Sequence, residues 1–177
     1  IVGNAGCYGR SIADILQVVR VYHAGKNKVE VWKPEDFKFD YRHSNIKDNP
    51  DKIVLNATIK ITQRPPKEIQ GELEKELDER MDKHPHVAKC AGSFFKNPTE
   101  MPAWKAIQEA GLQAFCIGGA CLSDKHANFL INRGNATSED ILKLAREIQT
   151  VVKEKLNIKL EPEVRYVGEH GLREIYK

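Results

Sequence analysis

The chain has 177 residues, 41% of them hydrophobic and 30% charged, enough to bury the core of one compact unit or two small ones. Its 28 basic and 25 acidic residues are well mixed, leave a net charge of +3 and form no basic stripe with interleaved aromatics, which argues against nucleic acid as a partner. The longest nearly apolar run, Ala114 to Leu122, contains two glycines and falls far short of a membrane span, and no secretory signal is visible.

The first informative stretch is Asn4-Ala5-Gly6-Cys7-Tyr8-Gly9. Two glycines three apart, flanked by an amide and a phenol, suit a loop that brings main-chain N–H groups against a ligand. The pattern is not Gly-x-Gly-x-x-Gly, so a doubly wound dinucleotide fold is not supported. Ser11 to Leu16 reads as about one helical turn. Val18–Tyr22 and Val29–Trp32 are β-branched and aromatic and bracket Ala24-Gly25-Lys26-Asn27, a hairpin pattern. Lys33 to Phe37 is a short turn or helix start. It leads to Phe39-Asp40-Tyr41-Arg42-His43-Ser44, where an arginine stands between a phenol and an imidazole; an exposed loop arginine is an equal reading on this stretch alone.

Ile53, Leu55, Ala57, Ile59 and Ile61 alternate with period two, as in a half-buried strand that Pro65-Pro66 ends. From Lys67 to Lys83, Ile69, Leu73, Leu77 and Met81 recur every four residues, which predicts an amphipathic helix with one narrow apolar stripe, closed by Pro85. Then comes Ala91-Gly92-Ser93-Phe94-Phe95-Lys96-Asn97-Pro98. The small pair lets a ligand approach the backbone, the phenylalanines anchor it, and a hydroxyl, a cation and an amide line the approach. The octapeptide lacks the second glycine of a nucleophile elbow, and by itself it reads first as a buried turn with a capping serine.

A short helix is expected from Pro102 to Ala110, stopped by Gly111, and strands at Phe115–Gly119 and Phe129–Asn132 around the polar turn Ser123–Asn128. Thr137, followed by two acids, is an N-cap for a long helix with apolar positions from Ile141 to Leu156. Glu161-Pro162-Glu163-Val164-Arg165 opens a strand continued by Tyr166-Val167-Gly168, with Glu163 and Arg165 on one face, where a surface ion pair is an open alternative. A second short strand, Leu172 to Tyr176, is expected to pair with it. Strands and helices in this order make an α+β unit.

The cysteines Cys7, Cys90, Cys116 and Cys121 include no Cys-x-x-Cys pair and follow no secreted-scaffold spacing, so free thiols in a reducing, cytoplasmic compartment are expected. His84-x-His86 with Cys90 nearby is too thin for a metal site, and solvated loop histidines are expected there.

In order along the chain, Asn-Ala-Gly-x-Tyr-Gly, Tyr-Arg-x-Ser, Gly-Ser-Phe-Phe-Lys-Asn-Pro, Ile-Gly-Gly-Ala with Lys-His-Ala-Asn-Phe, and Glu-Pro-Glu-Val-Arg resemble the UDP-N-acetylenolpyruvoylglucosamine reductase family. The resemblance runs from Asn4 to about Gly168 and rests on five motifs in register rather than on any one. It implies the second lobe of an FAD-binding α+β domain over 1–63, a connector helix over 64–89 and a small α+β substrate-binding domain over 90–158. Strands over 159–177 would return to the FAD domain, and the family's N-terminal FAD lobe is expected as a partner outside this sequence.

The implied activity is reduction of UDP-N-acetylglucosamine enolpyruvate by NADPH through FAD in peptidoglycan precursor synthesis. By match to the motifs, Arg42 and Glu163 attend the substrate carboxylate and Ser93 donates a proton. Tyr8, Lys83 and Asn97 hold the substrate, Asn4, Gly6 and Gly9 line the flavin, and Arg165 stands near it. Departures are Cys7, where the family usually has alanine, and the Met101–Ala106 stretch. The competing expectations are a UDP-sugar-binding module without flavin, and a different flavin oxidoreductase with the same type of FAD domain.

Overall fold

Val19 and Val21, alternate residues of one strand, are wholly buried, and the first of two units is built around them. The computed structural model describes residues 1–169 and 171–173. The units are Ile1–Pro66 and Lys67–Lys177. In the first, a two-residue ladder joins β1 (Gly6–Cys7) to β2 (Arg10–Ser11), pairing Gly6 with Ser11 and Cys7 with Arg10. Tyr8 and Gly9 close it at φ 49° and 73°, and two successive positive φ angles are what a two-residue hairpin turn of the right twist requires. A single turn of 3-10 helix, Ile12–Asp14, follows.

Three antiparallel strands, β3 (Leu16–His23), β4 (Lys28–Trp32) and β5 (Lys52–Ile59), form a sheet in the order β4-β3-β5. The hairpin of β3 and β4 turns at Ala24–Lys26 and ends on Asn27 at φ 48°, a conformation that asparagine tolerates. One face carries the core of Leu16, Val19, Val21, Phe37 and Ile46, with Phe37 edge-on to Trp32 at 5.2 Å and stacked on Phe39 at 5.0 Å. The opposite face holds Val29, Val31 and Ile53.

This corrects the reading of β5. Its alternating residues Ile53 and Leu55 are 51% and 50% exposed, and Val54 turns inward beside Val21. Period two identifies the strand but not the inward side; Val19, Val21 and Phe37 choose that.

In the second unit, α1 (Pro66–Lys83) has the expected helix, but its stripe of Ile69, Leu73, Leu77 and Met81 is exposed and no residue of the helix is buried. A four-stranded antiparallel sheet follows, in the order β6 (Lys89–Ser93), β9 (Phe129–Asn132), β8 (Ala120–Leu122), β7 (Cys116–Ile117). The helices α2 (Ala103–Glu109) and α3 (Ser138–Leu156) pack on it, and Phe94, Phe95, Ile107, Leu122, Leu144, Ile148, Val152 and Leu160 make the core. Thr137 caps α3 as expected: its hydroxyl accepts from the Asp140 N–H at 3.1 Å while Asp140 accepts from the Thr137 N–H at 2.9 Å. A last pair, β10 (Tyr166–Gly168) and β11 (Gly171–Arg173), is antiparallel. The part of the expected strand over 174–176 lies outside the described residues.

Two expectations fail between residues 115 and 122. What reads as one strand is a hairpin, β7 turning into β8 at Gly118 and Gly119. A Cβ on Gly119 would stand 2.4 Å from the Ala136 nitrogen, so the turn is pressed against the approach to α3. Cys116 and Cys121, directly opposed in this hairpin, are disulfide-bonded rather than free thiols. Five residues apart in sequence, they show no spacing signature, and only the hairpin brings them together. Cys7 and Cys90 are free and exposed.

Candidate functional site

The first unit gathers five of the candidate residues. Asn4, at φ 41°, donates through Nδ2 to the Asp40 carbonyl at 3.2 Å and accepts at Oδ1 from the Ala13 N–H at 3.2 Å. It ties the Tyr8–Gly9 hairpin to the 40–43 turn. That turn is closed by reciprocal backbone bonds between Asp40 and His43, at 3.1 and 3.2 Å, and carries Tyr41 and Arg42 at its tip. Arg42 has φ 54°, a left-handed conformation that favours glycine or asparagine. Its guanidinium lies 5.6 Å from the Tyr41 ring centroid, and one nitrogen is 3.5 Å from the Gly6 carbonyl.

Gly6 is explained inside the loop, since a Cβ there would meet the Arg10 carbonyl at 2.5 Å. Gly9 is different: nothing lies within 4 Å of where its Cβ would stand, and the neighbouring Tyr8 is exposed.

The second unit joins Ser93 to Glu163 across 70 positions of sequence. Ser93 ends β6 opposite Phe129, after a bulge at which Gly92 takes φ 85°. The chain then runs on as Phe94-Phe95-Lys96 between two neighbours. On one side the Phe94 carbonyl accepts from the Glu163 N–H, and the Lys96 N–H donates to the Glu161 carbonyl, both at 2.8 Å. Phe95 thereby faces Pro162, and Ser93 lies one residue from the position opposite Glu163.

On the other side stands Asn128, which sequence reasoning left without a role. Its carbonyl accepts from the Phe94 N–H at 2.7 Å. Its side chain accepts from the Phe95 N–H at 2.9 Å and donates to the Phe95 carbonyl at 2.8 Å. The signal that could have found it was a polar residue between Ala127 and Phe129 at the start of an apolar strand.

The remaining candidates are less closely grouped. Asn97 accepts at Oδ1 from the Ala103 N–H at 3.0 Å, which fixes the start of α2. Lys83 ends α1 with its ammonium 3.3 Å from Glu79. That helix end is tied to the 123–129 turn: Lys125 donates to the Met81 carbonyl at 3.0 Å, and the His84 ring stacks on His126 at 5.2 Å. His126 packs in turn against Phe129 at 4.8 Å, and burial first, then the charge of His84, lower its pKa from the ordinary value of 6.5. Arg165 is exposed two residues beyond Glu163. Among the described residues no group of three His, Cys, Asp or Glu could hold a metal ion, and no helix is long and apolar enough to cross a membrane.

Residues 84–167 match the family model described as the C-terminal domain of UDP-N-acetylenolpyruvoylglucosamine reductase. A relative of that name from Geotalea uraniireducens is 41% identical over 165 residues, covering 93% of this chain and 54% of the relative. Another, from Caldanaerobacter subterraneus, is 41% identical over 169 residues, covering 96% and 55%. The crystal structure of UDP-N-acetylenolpyruvylglucosamine reductase from Thermus caldophilus superimposes with a TM-score of 0.76 at 36% identity, over 92% of this chain and 57% of that one. The chain thus spans a little over half the length of the curated relatives it matches. It matches the model of their C-terminal domain over residues 84–167 and is similar to the UDP-N-acetylenolpyruvoylglucosamine reductases through nearly all of its own length.

Proposed function

We propose that the enzyme containing this chain reduces UDP-N-acetylglucosamine enolpyruvate to UDP-N-acetylmuramate, with NADPH as electron source and FAD as carrier, for peptidoglycan synthesis. The observation that supports this best lies within the matched domain, where the bond from the Glu163 N–H to the Phe94 carbonyl sets Glu163 against the residue that follows Ser93 despite their distance in sequence.

The residues present fit FAD at the Tyr8–Gly9 hairpin, where a glycine facing open space lets a flat ring lie against bare backbone. Asn4 and Gly6 shape that hairpin from within, and Arg165 offers an exposed cation. When bound, FAD would pass the hydride equivalent received from NADPH, two electrons with their hydrogen, to the terminal carbon of the enol ether.

The chain's own residues then manage charge and a proton. Negative charge grows on the carbon beside the substrate carboxylate and spreads into that carboxylate. A guanidinium from Arg42 and an acidic hydrogen bond from Glu163 are the partners such a charge calls for. Ser93 gives its Oγ proton to the carbon; a hydroxyl is a weak acid, but a carbanion-like enolate is basic enough to take it. Tyr8, Asn97 and Lys83 hold the rest of the sugar nucleotide, Lys83 as a point charge for the diphosphate once it leaves Glu79.

Stopped-flow absorbance of the flavin in the full enzyme tests this. NADPH bleaches the flavin in the parent and in Ser93→Ala alike, while reoxidation by the enolpyruvyl substrate falls by about 100- to 10,000-fold in the variant. Equal loss of both half-reactions would remove Ser93 as proton donor. A parent that binds no flavin, or is not reoxidised by this substrate, would remove the activity itself.

A further inference from the structure

Asn128 is 2% exposed and stands where β6 and β9 stop pairing as strands. Lys89 faces Asn132 and Cys90 faces Ile131, but the next pair is Ser93 with Phe129, so β6 holds one extra residue there. Beyond Ser93 the ladder continues through one residue. Asn128 supplies its own carbonyl to the Phe94 N–H at 2.7 Å and both ends of its side-chain amide to the Phe95 peptide, at 2.9 and 2.8 Å. The opposite edge of the same two residues carries Glu163 through the Phe94 carbonyl. Ser93 and Glu163 are therefore each one link from Phe94, one covalent and one hydrogen-bonded, and Asn128 clamps that residue and the next.

We propose that Asn128 is the positioning residue of the Ser93–Glu163 pair, its buried amide standing in for a missing strand and holding both residues in register. This rests on the proton-donor reading of Ser93. The amide is needed as an amide: it must accept from one backbone group and donate to another at once, which neither a carboxylate nor an alkyl side chain does.

The test is N128D, which keeps the shape and the acceptor but loses the donor while ionised. The Phe95 carbonyl would face that carboxylate, and the His126 Nδ1 accepts the main-chain N–H of the same residue at 3.2 Å. From the same turn comes Lys125, from the β6 extension Lys96, and from the paired segment Glu161 and Glu163, with Lys96 held 3.3 Å from Glu161. Burial and the carbonyl push the new acid's pKa up, so mild acidification restores an O–H donor. In the flavin-loaded enzyme, N128D is expected to be bleached by NADPH at the parent rate at every pH. Its reoxidation by UDP-N-acetylglucosamine enolpyruvate, as a ratio to the parent at the same pH, should be down on the order of 100-fold at neutral pH and recover as pH falls. N128S, which cannot serve both ends of the Phe95 peptide, should show the same split with no recovery.

Reoxidation equal to the parent in both variants, or a parallel loss of both half-reactions, would overturn the proposal. Hydrogen exchange of the Phe95 and Glu163 amides separates this failure from failure of the activity reading. Faster exchange in N128D at neutral pH than at acid pH, relative to the parent, supports the clamp even in an enzyme that rejects this substrate. Unchanged exchange refutes it whatever the substrate.

Discussion

Arg42 occupies a backbone conformation that costs it stability, and replacing it by glycine separates what the side chain does for the fold from what it does for the chemistry. At φ 54° a residue with a Cβ loses about 1–2 kcal/mol, which glycine recovers. Against that, glycine gives up about 0.5–1 kcal/mol of chain entropy. The guanidinium over the half-exposed Tyr41 ring at 5.6 Å contributes about 0.5–1 kcal/mol. The contact to the Gly6 carbonyl, at 3.5 Å, is at the limit of a hydrogen bond and adds little. These contributions by themselves sum to within about 1 kcal/mol of zero for Arg42→Gly, a melting shift of no more than roughly 2–8 °C.

Loss of a preorganised charge at the substrate carboxylate, by contrast, should slow reoxidation by about 100- to 1,000-fold. Thermal unfolding by circular dichroism and stopped-flow reoxidation of the same preparation read the two quantities. A variant destabilised by more than about 3 kcal/mol would show that Arg42 is structural, since such losses come from broken buried networks. A stable variant that reoxidises at the parent rate would refute its role at the carboxylate.

Three further outcomes follow from the second unit. Opening the short loop closed by Cys116 and Cys121 with Cys116→Ser should cost about 2 kcal/mol in denaturant unfolding, and alkylation of the native, unreduced protein should label Cys7 and Cys90 alone; labelling of all four would dispose of the bond. Thr137→Ala should cost about 1 kcal/mol by removing the cap of α3, and no loss would mean the helix start is held by other contacts. His126 has a folded pKa below its ordinary 6.5, so the folded state binds fewer protons than the unfolded one in that range. Its contribution to stability is thus complete above about pH 6.5 and lost as pH falls toward the folded pKa; His126→Phe should flatten that slope, measured as unfolding free energy against pH.

Local patterns carried the elements well. The β3–β4 hairpin, the β5 strand, α1 and the capped α3 were all legible, because each is announced by a period or a cap within a few residues. What they touch was not. The apolar residues of β5 and of α1 have the correct spacing and lie exposed here, because spacing does not say which side meets a neighbour. The β7–β8 hairpin was hidden because Gly118-Gly119 interrupts a run too short for two strands to show, and the Cys116–Cys121 bond exists only through that turn.

The candidate site was legible as motifs, and the geometry divides the residues within them by task. Asn4 has both ends of its amide engaged with Ala13 and Asp40, Gly6 is excluded from carrying a Cβ by the Arg10 carbonyl, and Asn97 caps the start of α2 through its oxygen. Each holds a loop in shape. Tyr8 is exposed and Gly9 faces open space, and Arg42 accepts a strained backbone with its guanidinium near the Gly6 carbonyl. Strain that the fold does not need is where function is best sought, because surrounding structure has to hold it in place. Asn128 shows the converse: a side chain wholly spent on backbone partners, yet spent on the one segment that joins a hydroxyl to a carboxyl. Residue type cannot separate these cases, since three of the residues concerned are asparagines; only their partners can.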